Sequence, residues 1–240
     1  MKLTCRKNFH ILLSGMKRNI LCMGAHPDDV EIGMGGSVAS MVDRGHNVMI
    51  LDLTNGEPTP NGSPEIRAAE SARSAEILGT KRKTLSMPNR YLENTIENRK
   101  ILAAEIRFFR PAYIFAPYPV DSHPDHIAAG ELAEASRFYA KLTKSDIPGE
   151  PWFPKRVIYY FPVHLRLRRE PSFVMDISKT IIKKEEAIRA YESQFTGKEH
   201  LLESILNENR YWGFQIGCEA GEPFFQNEAV GFRSWPDGYR

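Results

Sequence analysis

The chain has 240 residues, enough for one sizeable core. Its 42% hydrophobic and 26% charged residues are ordinary for a soluble globular protein, and a formal net charge of +2 gives no electrostatic case for nucleic acid or an anionic membrane. Three widely spaced cysteines, Cys5, Cys22 and Cys218, form no CxxC pair, which argues against a disulfide framework and fits a reducing, cytoplasmic setting.

Residues 1–17 carry basic residues and a short apolar patch, Ile11-Leu12-Leu13. The patch is too brief and too interrupted by charge for a signal peptide, so these residues read as a poorly ordered extension before a single domain over 18–240. No apolar stretch approaches the roughly 20 residues needed to span a bilayer. In chain order, 20–24 predicts a buried strand, 36–44 a helix closed by Gly45, and 48–53 a second buried strand. A helix over 65–78 stops at Gly79, a short strand follows at 83–85, and a helix over 96–109 ends at Arg110-Pro111. Then come a strand at 112–116, a helix at 124–142, strands at 157–161 and 173–177, and helices at 178–192 and 199–212. Near-continuous apolar strands separated by helices predict an α/β fold: a Rossmann-like three-layer sandwich with a mostly parallel sheet covered on both faces. Ligands of such sheets gather at the carboxyl edge of the strands.

Two turns at that edge carry unusual chemistry. GAHPDDVEIGMGG (24–36) follows the first strand, and APYPVDSHPDHIAAGELA (116–133) follows the strand at 112–116. An aspartate after a strand can simply cap the next helix, but capping accounts for one of Asp28 and Asp29, not both. Of seven histidines, His26, His123 and His126 fall in these two turns. His26 and Asp29 are three apart, as are His123 and His126, a spacing that puts side chains on one face of a helical turn. Histidine and carboxylate ligate zinc and similar divalent ions, and a cation compensates the adjacent negative charges. Asp29 can ligate while Asp28 handles protons. His26, Asp29 and His126 supply the three protein ligands of a catalytic zinc site; with His123 bound as well the site would be closed and structural. Spacing alone leaves open which histidine of the second turn ligates.

The glycines Gly33, Gly35 and Gly36, with Asp52 ending the second strand, invite a dinucleotide-binding reading. The third glycine of that fingerprint would stand at Val38, and AHPDDVEI intervenes between strand and glycines, so the metal reading is preferred. The glycines instead let the helix start close to the sheet. The basic loop HLRLRRE (164–170) and the aromatics Trp152, Tyr159, Tyr160, Trp212 and Trp235 are read as surface and core features. His10, His46, His164 and His200 are assigned no role.

AHPDD and HPDH, in this order on an α/β pattern, resemble the PIG-L/LmbE-like zinc-dependent N-acetylglucosaminide deacetylases, over about residues 18–225. The resemblance implies zinc held by His26, Asp29 and His126, with Asp28 as general base. It implies His123, if protonated, as donor to the tetrahedral intermediate, and Asp125 as the residue orienting His123 or a ligand. It matches Arg67, and less surely Glu57, to substrate-facing residues after the second strand, and AIRAYESQF (187–195) to a helix whose end lies near the site, read here as packing. A family tyrosine is missing where Glu219-Ala220 precede Gly221-Glu222. The implied activity is removal of an acetyl group from a small amino-sugar conjugate by a homo-oligomer, a trimer or hexamer. The alternatives are a non-catalytic metal- or sugar-binding protein of the same fold and a metal-dependent amidase on another small N-acyl substrate.

Overall fold

The computed structural model describes residues 17–162 and 170–229. The expectations for the first sixteen residues, for His10, for His164 and most of its basic loop, and for Trp235 lie outside the described residues. In chain order the elements are β1 (Asn19–Gly24), α1 (Asp29–Asp43), β2 (Asn47–Asp52), α2 (Pro64–Leu78), β3 (Lys81–Thr84), α3 (Ile96–Phe109) and β4 (Tyr113–Pro117). They continue with α4 (Pro124–Ala140), β5 (Arg156–Tyr160), β6 (Phe173–Asp176), α5 (Ile181–Arg189), α6 (Glu192–Phe195), α7 (Glu199–Gln215) and β7 (Gly221–Phe225). No helix of the described residues is long and apolar enough to cross a membrane.

The helix boundaries follow local chemistry. Ser63 caps α2 by accepting the Ile66 N–H at 3.3 Å, Pro64 opens the helix, and Gly79 closes it in the left-handed conformation at φ 70°. Thr95 caps α3 by accepting the Asn98 N–H at 3.2 Å. Such a cap contributes about 1 kcal/mol.

The strands form one sheet in the order β3-β2-β1-β4-β5-β7-β6, with only β7 running against the rest. The pleat sends Leu21 and Met23 of β1 to a core shared with α3 and α4, and Ile20 and Cys22 to a core shared with α1 and α5. A third cluster joins Ile188 and Tyr191 to Leu202 and Ile205 of α7. The order reverses at β1, flanked by β2 and β4. The loops leaving β1 and β4 therefore open beside one another at the switch point, where doubly wound sheets bind ligands. Those loops hold the two His-Pro-Asp turns.

Three elements depart from the sequence reading. Helix α1 begins at Asp29, seven residues before the expected start, and carries the glycines inside it. A Cβ on Gly33 would stand 2.2 Å from the Tyr160 ring, and one on Gly36 would stand 2.7 Å from Ile177. Close packing thus overrides weak helix propensity. Met34 leaves helical geometry (φ −152°, ψ 21°), and the helix resumes with the Gly36 and Ser37 N–H groups donating to Glu222 at 3.0 and 2.7 Å. The expected start at 36 therefore marks the second half of a kinked helix. The predicted 178–192 helix is shorter, α5 running only Ile181–Arg189, with α6 beginning at Glu192. Strand β7 was not predicted: it holds Pro223 and the buried Glu222, and Pro223 lies outside the pairing of β7 with β5, which covers Phe224 and Phe225.

Candidate active site

The two turns converge. One ligand atom from each of His26, Asp29 and His126 falls within a group no more than 4.8 Å across. Nδ1 of His26 lies 3.6 Å from Oδ2 of Asp29, and Nε2 of His126 lies 3.2 Å from Oδ1 of Asp29. The opposite edge of each imidazole rests on a carboxylate. Asp125 Oδ2 sits 3.0 Å from Nε2 of His26, and Asp121 Oδ2 sits 2.8 Å from Nδ1 of His126. Metal-binding histidines are oriented in this manner, with the second nitrogen fixed by an acid. Two imidazoles and one carboxylate facing a common point fit a divalent metal and could hold one.

Asp125 is itself oriented: the Arg90 N–H donates to Oδ2 at 2.7 Å and the Leu92 N–H to Oδ1 at 3.3 Å. It thus braces His26, one of the two options open from sequence. Asp121, which also accepts the His123 N–H at 3.1 Å, was missed by sequence reasoning. Its place five residues before His126 in DSHPDH is the one signal available.

Asp28 is the N-cap of α1 and sits at φ 109°, a conformation few non-glycine residues adopt and one found at functional sites. Burial pushes its carboxyl up to about 7; Arg67 pulls the other way and Asp29 adds to the rise. Asp29 is pulled well below the carboxylate range: burial opposes the charge, but His126 and His26 outweigh it. A carboxyl that holds a proton near neutrality thus stands beside one that stays ionised.

His123 caps α4, its Nδ1 accepting the Asp125 N–H at 3.2 Å, with Pro124 opening the helix. Burial, with His126 and His26 nearby, lowers His123 to about 4. With Nδ1 accepting, a neutral ring carries its proton on Nε2 and is a donor without being doubly protonated. Its ring stacks on His126 at a 4.7 Å centroid separation.

These groups line a cleft of about 330 Å³ that also takes in Ile32, Arg90, Gln194, Phe195 and Lys198. Arg67 reaches its wall but is only 3% exposed, with Nη1 3.4 Å from Asp28 Oδ2 and Nη2 donating to the Pro27 carbonyl. Glu57 is not part of the lining; its carboxylate accepts the Thr59 N–H at 2.7 Å and the Thr59 hydroxyl at 2.9 Å, holding the loop in shape. The segment without the family tyrosine lies elsewhere: Glu222 is fully buried on Lys184 Nζ at 2.7 Å. Asp52 is also buried and takes the Arg82 fork at 2.7 Å, which leaves the dinucleotide reading without its ribose acid. Of the aromatics set aside above, Tyr160 donates to the Met23 carbonyl, Tyr159 to Glu134 and Trp152 to the Pro111 carbonyl. Gln194 and Phe195, from the 187–195 motif read as packing, do reach the cleft.

The fold is a doubly wound α/β sheet with a His/Asp group that could hold a metal at its switch point. The PIG-L profile, described as GlcNAc-PI de-N-acetylase, matches residues 21–136. The diacetylchitobiose deacetylase of Thermococcus kodakarensis is 34% identical over 194 residues, covering 74% of this chain and 70% of that protein. The crystal structure of the conserved protein TT1542 from Thermus thermophilus superposes with a TM-score of 0.87 at 38% identity, covering 92% of this chain and all of that one. The N,N'-diacetylchitobiose deacetylase of Pyrococcus horikoshii superposes with a TM-score of 0.78 at 30% identity, covering 87% and 83%. The chain belongs to the PIG-L deacetylase family, whose named relatives here are hydrolases of amide bonds, and it is an enzyme of that class.

Proposed function

We propose that the protein removes an acetyl group from an N-acetylglucosamine-type amino-sugar conjugate, with zinc or a similar divalent ion held by His26, Asp29 and His126. The observation that carries this reading is the three-donor group of at most 4.8 Å across, with Asp28 beside it in the same cleft. The names of the two diacetylchitobiose deacetylases support the substrate class. When bound there, a divalent ion would make water a better nucleophile near neutral pH and polarise the acyl carbonyl.

The residues divide the remaining work. Asp28 accepts a proton from water as its oxygen bonds to the acyl carbon, and burial has already raised its affinity for that proton. The neutral His123 donates from Nε2 to the oxygen that becomes negative in the tetrahedral intermediate. As the C–N bond breaks, Asp28 returns the proton to the departing nitrogen, so acetate and a free amine leave. Arg67 and Pro27 hold Asp28 in its left-handed turn. Asp125 and Asp121 keep the two ligand rings in orientation.

The test is release of free amine and acetate from a panel of N-acetylglucosaminides that includes diacetylchitobiose, with and without chelator, beside metal analysis. Chelator-sensitive release from at least one member supports the reading. Metal retention with no release from any member would favour a binding protein of the same fold.

A further inference from the structure

Tyr191, from the AIRAYESQF motif, takes no part in the steps above, yet it is fully buried beside them. Two guanidiniums lie over its ring, with Cζ of Arg67 5.3 Å and Cζ of Arg82 5.9 Å from the ring centroid. On the Arg82 side everything is anchored. The Tyr191 hydroxyl donates to Glu31 Oε1 at 3.0 Å, and the same oxygen accepts from Arg82 Nη1 at 2.5 Å and Ser74 Oγ at 2.6 Å. The Arg82 fork closes on both oxygens of Asp52.

The Arg67 side rests on one close bond and two long ones. Its contacts to Asp28 are long, 3.4 and 3.5 Å, and its buried Nε has no partner among the described residues. Its remaining bond goes to the carbonyl of Pro27, the residue before the left-handed Asp28. An aromatic face attracts a guanidinium, so the Tyr191 ring joins the close Pro27 bond in locating Arg67. Arg67 in turn touches both the backbone and the carboxylate that set where Asp28 points.

We propose that Tyr191 is a positioning residue: its aromatic face seats Arg67 against Pro27 and Asp28 and so fixes the Asp28 carboxylate in the cleft. The inference rests on the reading of Asp28 as the general base. It assigns a purpose to the 187–195 motif beyond packing.

Tyr191→Phe and Tyr191→Met separate ring from hydroxyl, because both lose the hydroxyl and only Phe keeps the aromatic face. They are assayed as metal-loaded protein on an N-acetylglucosaminide that the unaltered protein hydrolyses. Failure of the unaltered protein on the whole panel would count against the proposed function, not against this inference. The Phe variant is expected to keep kcat within about threefold, and the Met variant to lose about tenfold or more in kcat with KM within about twofold and metal content unchanged. In an Arg67→Ala background the change from Tyr to Met costs less than about threefold, because the effect passes through Arg67. Crystal structures of the metal-free variants give a readout independent of turnover: Arg67 stays on Pro27 and Asp28 with Phe and withdraws with Met. A Met variant with wild-type kcat, an unmoved Arg67 in its crystal structure, or an undiminished loss in the Arg67→Ala background overturns the inference. Should the Met variant not fold, the Phe variant decides, since a loss of about tenfold with the ring intact overturns the inference and retention supports it.

Discussion

Asp121 holds Nδ1 of His126 at 2.8 Å, and this turns Nε2 of the same ring toward Asp29, 3.2 Å away. Asp125 does the same for His26 from the other side, at 3.0 Å. Acids that orient ligating imidazoles tune metal affinity without touching the metal. Asp121→Asn and Asp125→Asn are therefore expected to weaken metal binding by about 10- to 100-fold each, read by competition against a chelator of known affinity. Wild-type affinity in both variants would remove the orienting role.

Asp28→Asn keeps the side chain's shape and removes its basicity. The expected result is an unchanged metal content with kcat lower by about 10²- to 10⁴-fold, the usual weight of a positioned acid or base. His126→Ala, by contrast, is expected to lose the metal. Full turnover by Asp28→Asn on the hydrolysed substrate would show that another group takes the proton.

Metal uptake should release protons. Burial disfavours a charged His26, but Asp29 and Asp125 prevail and raise it to about 9; burial likewise opposes His126, and Asp29 and Asp121 raise it to about 10. Both rings are thus protonated in the metal-free protein at neutral pH, and each must lose its proton to ligate. Affinity should accordingly rise with pH until about 9 to 10 and fall below that, with up to two protons released per ion. Calorimetry of zinc binding in buffers of different ionisation enthalpy measures the number; a value of zero would contradict the charge state argued here.

The interior should resist two kinds of change. Gly33→Ala drives a methyl group to 2.2 Å from the Tyr160 ring. Overpacking of this kind costs about 1–3 kcal/mol, seen as a lower midpoint of denaturant unfolding. Lys184→Met strands the buried Glu222 carboxylate that holds the restart of α1, and losing one partner of a buried pair costs about 3–5 kcal/mol. Adding Glu222→Gln should recover part of that loss, since no uncompensated charge remains; a further loss in the double variant would argue that Glu222 acts mainly on the helix N–H groups.

Most strands and helices were legible because their apolar spacing is local: 96–109 and 199–212 were placed within three residues at each end. Strand β7 was not, because Pro223 and Glu222 break the expected pattern and only the contact with Lys184 and α1 makes a buried glutamate tolerable there. Likewise the start of α1 depends on how near Tyr160 and Ile177 approach its glycines, and no spacing rule contains that distance.

The sequence by itself determined which donors were available and the strand ends on which they stand, since His26, Asp28, Asp29, His123 and His126 are written into two short turns. Only the tertiary structure decided how they are placed and charged. Burial and charge separate Asp28 from its neighbour Asp29, the Asp125 N–H occupies Nδ1 of His123, and Asp121 and Asp125 stand against the His126 and His26 rings because the fold brings them there. A side chain's identity is covalent and local, whereas its protonation and orientation are set by the field and contacts of groups up to 186 positions away along the chain.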